Sequence, residues 1–348
     1  MKKQLNLMIA LMALFASLAQ ATPDTDGILQ PPTLKTGDTV ALVASAWRTP
    51  DVTEIEDATA RLKALGLEVK YGPSLFKQDA YFAGTDEERA EDLNVMFKDP
   101  KVKAILELRG GWGTNRILDY LDYETIKQYP KILMGFSDIT SLLLAVHAKT
   151  GLVTFHGPIG AWPWPAFTVN YLKRVLFSGE KVCFQNPVKP LNLETDVIQT
   201  ENRIHIIRGG KARGQLFGGN LALLTAMLGS QYLPSLKGAI LFVEDVDEQY
   251  YQIDRMMSQL QKAGVLAQIK GFIFGQCTAC EATIESIGSL GSQTLRQILD
   301  HYIKPLNIPA WSGAMIGHNP QMFTLPEGVP VQIDADQGTI TLLVPAVI

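Results

Sequence analysis

The stretch Tyr129–Gly151, YPKILMGFSDITSLLLAVHAKTG, constrains the chain more than any other. Lys131–Met134 reads as the end of a short buried strand. Asp138–Thr150 reads as a helix, because Ile139, Leu142, Leu143 and Val146 recur at helical spacing. Between them, Gly135-Phe136-Ser137-Asp138 must reverse the chain within four residues. A strand feeding a helix through so tight a turn belongs in an α/β sheet. The turn would display the Ser137 hydroxyl where neighbouring amides open a helix. Ser137 and Asp138 are also good helix N-caps, and Ile139 stands where a Gly-x-Ser-x-Gly elbow has its second glycine. On these residues alone, capping and nucleophilic chemistry both stay open.

The surrounding pattern agrees with an α/β fold. Strand-like runs at Thr39–Ser45, Leu67–Tyr71, Ala104–Leu108 and Leu152–Phe155 alternate with helical runs at Val52–Leu65 and Asp86–Phe97. This alternation predicts a mostly parallel sheet with ligands gathering beyond the C-terminal strand ends. Further on, Gly238–Val243 is a buried strand running into Glu244-Asp245, with helices at Leu221–Leu228, Tyr251–Ala263 and Leu290–Tyr302. Ile269–Phe274 is another strand, and Val329–Ile333 with Thr339–Val344 read as an antiparallel hairpin. The expected division is a leader at 1–21, an N-terminal α/β domain at 22–175, a crossover at 176–208 and a C-terminal domain at 209–348.

The leader is expected from Lys2 and Lys3, the apolar run Leu5–Leu18 and the small-x-small triplet Ala19-Gln20-Ala21. Together they read as an export signal cleaved before Thr22, too short in its apolar run for a spanning helix. The expected location is therefore the periplasm, with no stable membrane span after cleavage. At 348 residues and 47% hydrophobic, the chain can bury a large core, and a formal net charge of -4 argues against a nucleic-acid partner. Three cysteines make no disulfide framework. Cys277 and Cys280, at C-x-x-C spacing, read as a local disulfide or two free thiols, with a metal or redox centre disfavoured.

Arg109-Gly110-Gly111-Trp112-Gly113 follows the Ala104–Leu108 strand. Its glycines let backbone approach a ligand and present amides to an anion. The spacing is neither a dinucleotide fingerprint nor a Walker A loop. A serine hydroxyl needs a base, and the base an orienting group. Of five histidines, His156 and His318 sit in glycine-flanked turns, where a side chain can enter a cleft. His147 reads as structural, His205 alternates with apolar residues and His301 closes a helix. Glu244 is the outstanding carboxylate, since its strand would bury it and burial demands a partner. An ordinary acidic loop, or pairing with Arg255, is the alternative for Glu244 and Asp245. Trp112, Trp162 and Trp164 are candidates to line a cleft.

Six motifs in order, RGGWGTNRILDYLD, GFSDIT, HGP, GQLFGGNLALL, LFVEDVDEQYYQIDRMMSQL and GHNPQMFTLPEGV, carry a resemblance. From about Leu34 to Pro345 the chain resembles the LD-carboxypeptidase family of serine peptidases, which includes muramoyltetrapeptide carboxypeptidases and the microcin C self-immunity proteins. The resemblance implies an N-terminal flavodoxin-like or glutaminase-like domain and a smaller mixed α/β C-terminal domain with a barrel-like sheet. It implies Ser137 as nucleophile, His318 as base, Glu244 as its orienting acid, and the Gly111 and Asp138 amides as an oxyanion hole. The implied substrate is a peptidoglycan tetrapeptide or muropeptide losing its terminal D-alanine after meso-diaminopimelate or lysine. No metal or cofactor is required, and a homodimer is possible. Family enzymes of this kind are typically cytoplasmic, so the export signal departs from the pattern. The immunity branch implies a peptide–nucleotide conjugate instead, on which Trp162 or Trp164 could stack. An α/β-hydrolase esterase and a non-catalytic periplasmic binding module are the remaining alternatives.

Overall fold

The computed structural model describes residues 27–187, 202–281 and 293–348. The expected leader at 1–21 and part of the crossover lie outside the described residues.

Five strands form a parallel sheet: β1 (Thr39–Val43), β2 (Glu68–Tyr71), β3 (Val102–Glu107), β4 (Ile132–Gly135) and β5 (Thr154–His156). Their order, β5-β4-β3-β1-β2, is the doubly wound arrangement expected from alternating strands and helices. Helices α1 (Thr53–Ala64), α2 (Asp86–Lys98), α3 (Tyr123–Gln128), α4 (Thr140–Thr150) and α5 (Ala166–Leu176) belong to this half. The central strands read as continuous apolar runs because both faces are covered; Ala41, Leu42 and Val43 are completely buried.

The second sheet has eight strands in the order β6-β14-β13-β8-β9-β10-β11-β7. They are β6 (Cys183–Gln185), β7 (His205–Arg208), β8 (Lys211–Asn220), β9 (Ile240–Val246), β10 (Gly271–Thr278), β11 (Ala310–Ala314), β13 (Pro330–Asp334) and β14 (Thr339–Leu342). Strands β8, β9, β10 and β11 run parallel, and their neighbours pair antiparallel. Asn186, just beyond β6 at one edge, donates to the Gly313 carbonyl in β11 near the other edge at 2.8 Å. The sheet therefore curls towards a barrel. Helices α6 (Leu221–Ala226), α7 (Tyr250–Lys262) and α8 (Leu295–Ile303) complete this half.

Sheet membership does not follow chain order. Strand β12 (Leu325–Glu327) leaves the C-terminal half and pairs antiparallel with β5. Conversely β6 and β7, both within the expected crossover at 176–208, are edge strands of the second sheet. The short polar β-like pieces of the crossover, set among prolines, gave too little pattern to show this.

Helix α4 joins the halves. It is buried on nearly every face, from Thr140 to Val146, so its apolar residues wrap all round it, as a helix between two layers requires. Gly219 of β8 sits against it with φ +128°, and a Cβ there would fall 2.5 Å from Thr140 Oγ1. The Asn220 amide donates to Thr140 Oγ1 at 2.9 Å. This close approach brings the end of β4 against the ends of β8 and β9.

Candidate active site

The turn after β4 differs from the expected direct entry into a helix. Ser137 adopts φ +64°, a left-handed conformation that a non-glycine residue cannot carry into an α-helix. A single 3-10 turn, Ser137–Ile139, intervenes, and α4 begins only at Thr140. Held strain of this kind costs about 1–3 kcal/mol and is typical of functional turns. Gly135 is required here, because a Cβ would stand 2.7 Å from Ile139 Cγ2.

Ser137, His318 and Glu244 come together. His318 Nε2 lies 3.1 Å from Ser137 Oγ, and its Nδ1 lies 2.8 Å from Glu244 Oε2. With the proton on Nδ1 donated to the carboxylate, Nε2 is left to accept from the serine hydroxyl. Glu244 lies inside β9, not beyond its end, and is fully buried. Burial alone would push its pKa up; the charge and hydrogen bond of His318, with contributions from His156 and Asn220, outweigh this and hold it below the usual range. Gly317, with φ +89°, gives Glu244 its room: a Cβ there would be 2.0 Å from Oε2. The ring of His318 is flanked edge-on by Phe136 and Trp162.

The glycine loop closes on the same point. A Cβ on Gly110 would stand 3.1 Å from Ser137 Oγ and 3.4 Å from the Asp138 nitrogen. Gly111 follows with φ +108°, beneath the indole of Trp47. The buried Asp138 side chain fixes this loop: its Oδ2 accepts from the Thr114 amide at 2.9 Å, while Thr114 Oγ1 donates to the Asp138 carbonyl at 2.6 Å. Ser137, His318, Gly110 and Gly111 line a cavity of about 310 Å³, with Trp47, Phe136 and Trp162 among its walls. This is the small end of the range for ligand pockets.

The other candidates are distributed differently. Trp162 lines the cavity and donates its indole N–H to the Asn319 carbonyl at 2.8 Å. Trp112 is exposed and is not part of the wall. Trp164 turns inward, bonded to the Ile159 carbonyl and facing a small apolar space under the first sheet. His156 is completely buried between Phe136 and Phe242, and neither ring nitrogen has a hydrogen-bond partner among the described residues. Burial pulls its pKa down to about 4, so it stays neutral. Asp245 does not pair with Arg255: it accepts from Asn220 Nδ2 and the Ala222 amide at the start of α6. Cys277 and Cys280 form a disulfide, and Cys183 is free and exposed. Sequence reasoning missed Trp47, Glu54 and Arg109 as wall residues. Trp47 and Arg109 follow the ends of β1 and β3, the positions from which ligand-binding loops spring in such sheets.

Glu107 at the end of β3 is another buried carboxyl. It accepts from Ser45 Oγ at 2.6 Å and the Ser45 amide at 3.0 Å, yet burial raises its pKa to about 7. A folded-state pKa above the unfolded one gives stability that is complete below about 4.5 and lost as pH rises through about 7. Relative to Glu107→Gln, the wild type is expected to lose up to ~3 kcal/mol of unfolding free energy across that window. Paired urea melts at pH 4.5 and 7.5 check this; parallel curves would contradict it.

A match to the LD-carboxypeptidase N-terminal domain covers residues 40–157, and a match to the LD-carboxypeptidase C-terminal domain covers 213–333. The chain belongs to the LD-carboxypeptidase family. One relative is the probable murein peptide carboxypeptidase of Bacillus subtilis (strain 168), 38% identical over 315 residues, which span 90% of this chain and 94% of that one. Among solved structures, the muramoyltetrapeptide carboxypeptidase of Oxalobacter formigenes matches with TM-score 0.73 and 28% identity, over 87% of this chain and 97% of that one. The microcin C7 self-immunity protein MccF matches with TM-score 0.81 and 28% identity, over 92% and 100%. The two-domain mixed α/β fold is thus that of the family.

Proposed function

We propose that this LD-carboxypeptidase is a serine enzyme that releases the terminal D-alanine of peptidoglycan tetrapeptides through an acyl-enzyme, acting in the periplasm. The reading is supported above all by the hydrogen-bonded chain Glu244–His318–Ser137 at the wall of the cavity. As Ser137 Oγ attacks the carbonyl preceding D-alanine, His318 Nε2 takes its proton. Glu244 holds the ring tautomer and stabilises the imidazolium. The Gly111 and Asp138 amides receive the oxyanion. His318 then protonates the departing amine as the C–N bond breaks, leaving the shortened peptide esterified to Ser137. Water, deprotonated by the same imidazole, releases the acid and restores the hydroxyl. Every proton travels through His318, so the site needs no further base.

Gly317→Ala tests the arrangement without touching a reacting group. The added methyl would strike Glu244 Oε2 and displace His318. Displacement by about 1 Å costs on the order of 10²-fold, so kcat is expected to fall by about that factor in a D-alanine release assay. A wild-type kcat would contradict the geometry described.

The experiment for the function is incubation of the chain from Thr22 onward with defined muropeptides, followed by mass spectrometry. Loss of one alanine from a tetrapeptide supports the reading, and an unchanged tetrapeptide overturns it. The likeness to MccF, together with Trp162 on the cavity wall, favours a second substrate class, a peptide–nucleotide conjugate. Hydrolysis of an aminoacyl sulfamoyl adenosine but not of tetrapeptide would select it. Fractionation of producing cells tests the location; retention in the cytoplasm would refute export. The elution volume of the mature chain tests the homodimer.

A further inference from the structure

We infer that Arg109 is the anchor for a free carboxylate of the substrate, and that Glu54 restrains it until substrate arrives. The inference rests on the carboxypeptidase reading and adds what that reading leaves open, namely how the free acid is recognised.

Among the described residues lining the cavity, Arg109 carries the only fixed positive charge and Glu54 the only carboxylate. Arg109 Nη1 donates to Glu54 Oε1 at 2.5 Å, with both side chains only about a quarter exposed, at 28% and 26%. Glu54 is itself held, since its Oε2 accepts from Thr49 Oγ1 at 2.6 Å. A guanidinium has five N–H donors in a planar fork. One points at Glu54, and the others have no protein acceptor among the described residues. Arg109 and Ser137 line the same cavity. Arg109 stands two residues before Gly111, so a carboxylate docked on it is registered against the loop that would receive the oxyanion. Apart from Ser137, His318 and the glycine loop, which serve the reacting carbonyl, the wall is built of Trp47, Phe136, Ile159, Ala161 and Trp162, apolar or aromatic surroundings in which a charge-assisted fork is strong.

Two of a tetrapeptide's carboxylates lie nearest the scissile bond and could supply this group: that of the terminal D-alanine, and that of the D-centre of meso-diaminopimelate. Substrate variants separate them. The wild type is assayed on meso-diaminopimelyl and L-lysyl tetrapeptides, each as free acid and as C-terminal amide. If the terminal carboxylate docks on Arg109, kcat/KM falls about 10- to 100-fold on amidation, the size of one charge-assisted contact. If the diaminopimelate carboxylate docks, the same fall appears in the lysyl series instead. In Arg109→Gln that preference is expected to collapse, mainly through KM, and Arg109→Lys should restore part of it. Glu54→Gln frees the guanidinium and is expected to lower KM for the preferred acid.

Equal rates of the wild type on all four substrates would overturn the inference without any variant. So would an Arg109→Gln enzyme that keeps the full preference. A Glu54→Gln enzyme as impaired as Arg109→Gln would make the pair merely structural. Failure of the wild type to release D-alanine from any tetrapeptide would remove the carboxypeptidase reading itself, and this inference with it.

Discussion

Ser137→Ala is expected to lower kcat/KM for D-alanine release by at least ~10³, with the fold intact. In the proposed mechanism the hydroxyl is the atom that attacks, and among the described residues its only side-chain partner is His318 Nε2, so removal strands no buried donor. The backbone constraint at φ +64° is the same for alanine as for serine. Melting temperature should therefore barely move while turnover disappears. His318→Ala should fall as far, and the double variant little further, because nucleophile and base act as one unit. Additive losses would mean that the two residues serve separate steps.

Glu244→Gln is the second large effect. The carboxylate accepts the Nδ1–H of His318; an amide nitrogen in its place would favour the tautomer with the proton on Nε2. That nitrogen could then no longer take the Ser137 proton. A fall of about 10³–10⁴ in kcat is expected. Stability should fall only modestly, because the neutral amide gives up the favourable interactions that hold the buried carboxylate's pKa below the usual range but also sheds the desolvation cost of a completely buried charge. Steady-state kinetics and thermal melts of the same preparation separate the two. If activity and melting temperature collapse together, Glu244 holds the fold and does not serve the histidine.

Much of this was legible in the chain. The alternation from Thr39 to Phe155 gave the parallel sheet, because strands covered on both faces leave a continuous apolar signature. The residues that meet at the site lie 74 and 181 positions apart, and periodicity cannot bring such positions together. Their motifs could, through resemblance to a family. What stayed hidden was tertiary. His156 and His318 both read as residues of glycine-flanked turns, yet His156 ends β5 and lies between two phenylalanine rings, while His318 faces a hydroxyl. Trp162 and Trp164 are two residues apart, and only the backbone path of the Trp-Pro-Trp-Pro run sends one to the cavity and the other inward. Strand β12 is too short for alternation to register, and its partner lies about 170 residues earlier. The Asp138 side chain was read as a possible cap; its anchoring of the Thr114 loop depends on a turn that local propensity does not describe.

If Ser137 is the nucleophile, a covalent ester forms on its Oγ. A tripeptide p-nitrophenyl ester should acylate the enzyme faster than water releases it, so acid-quenched protein can be weighed intact and mapped by proteolysis. A mass increase equal to the tripeptidyl group is expected, located on the peptide containing Ser137 and absent from Ser137→Ala. An adduct on any other residue, or wild-type release of p-nitrophenolate by Ser137→Ala, would contradict it.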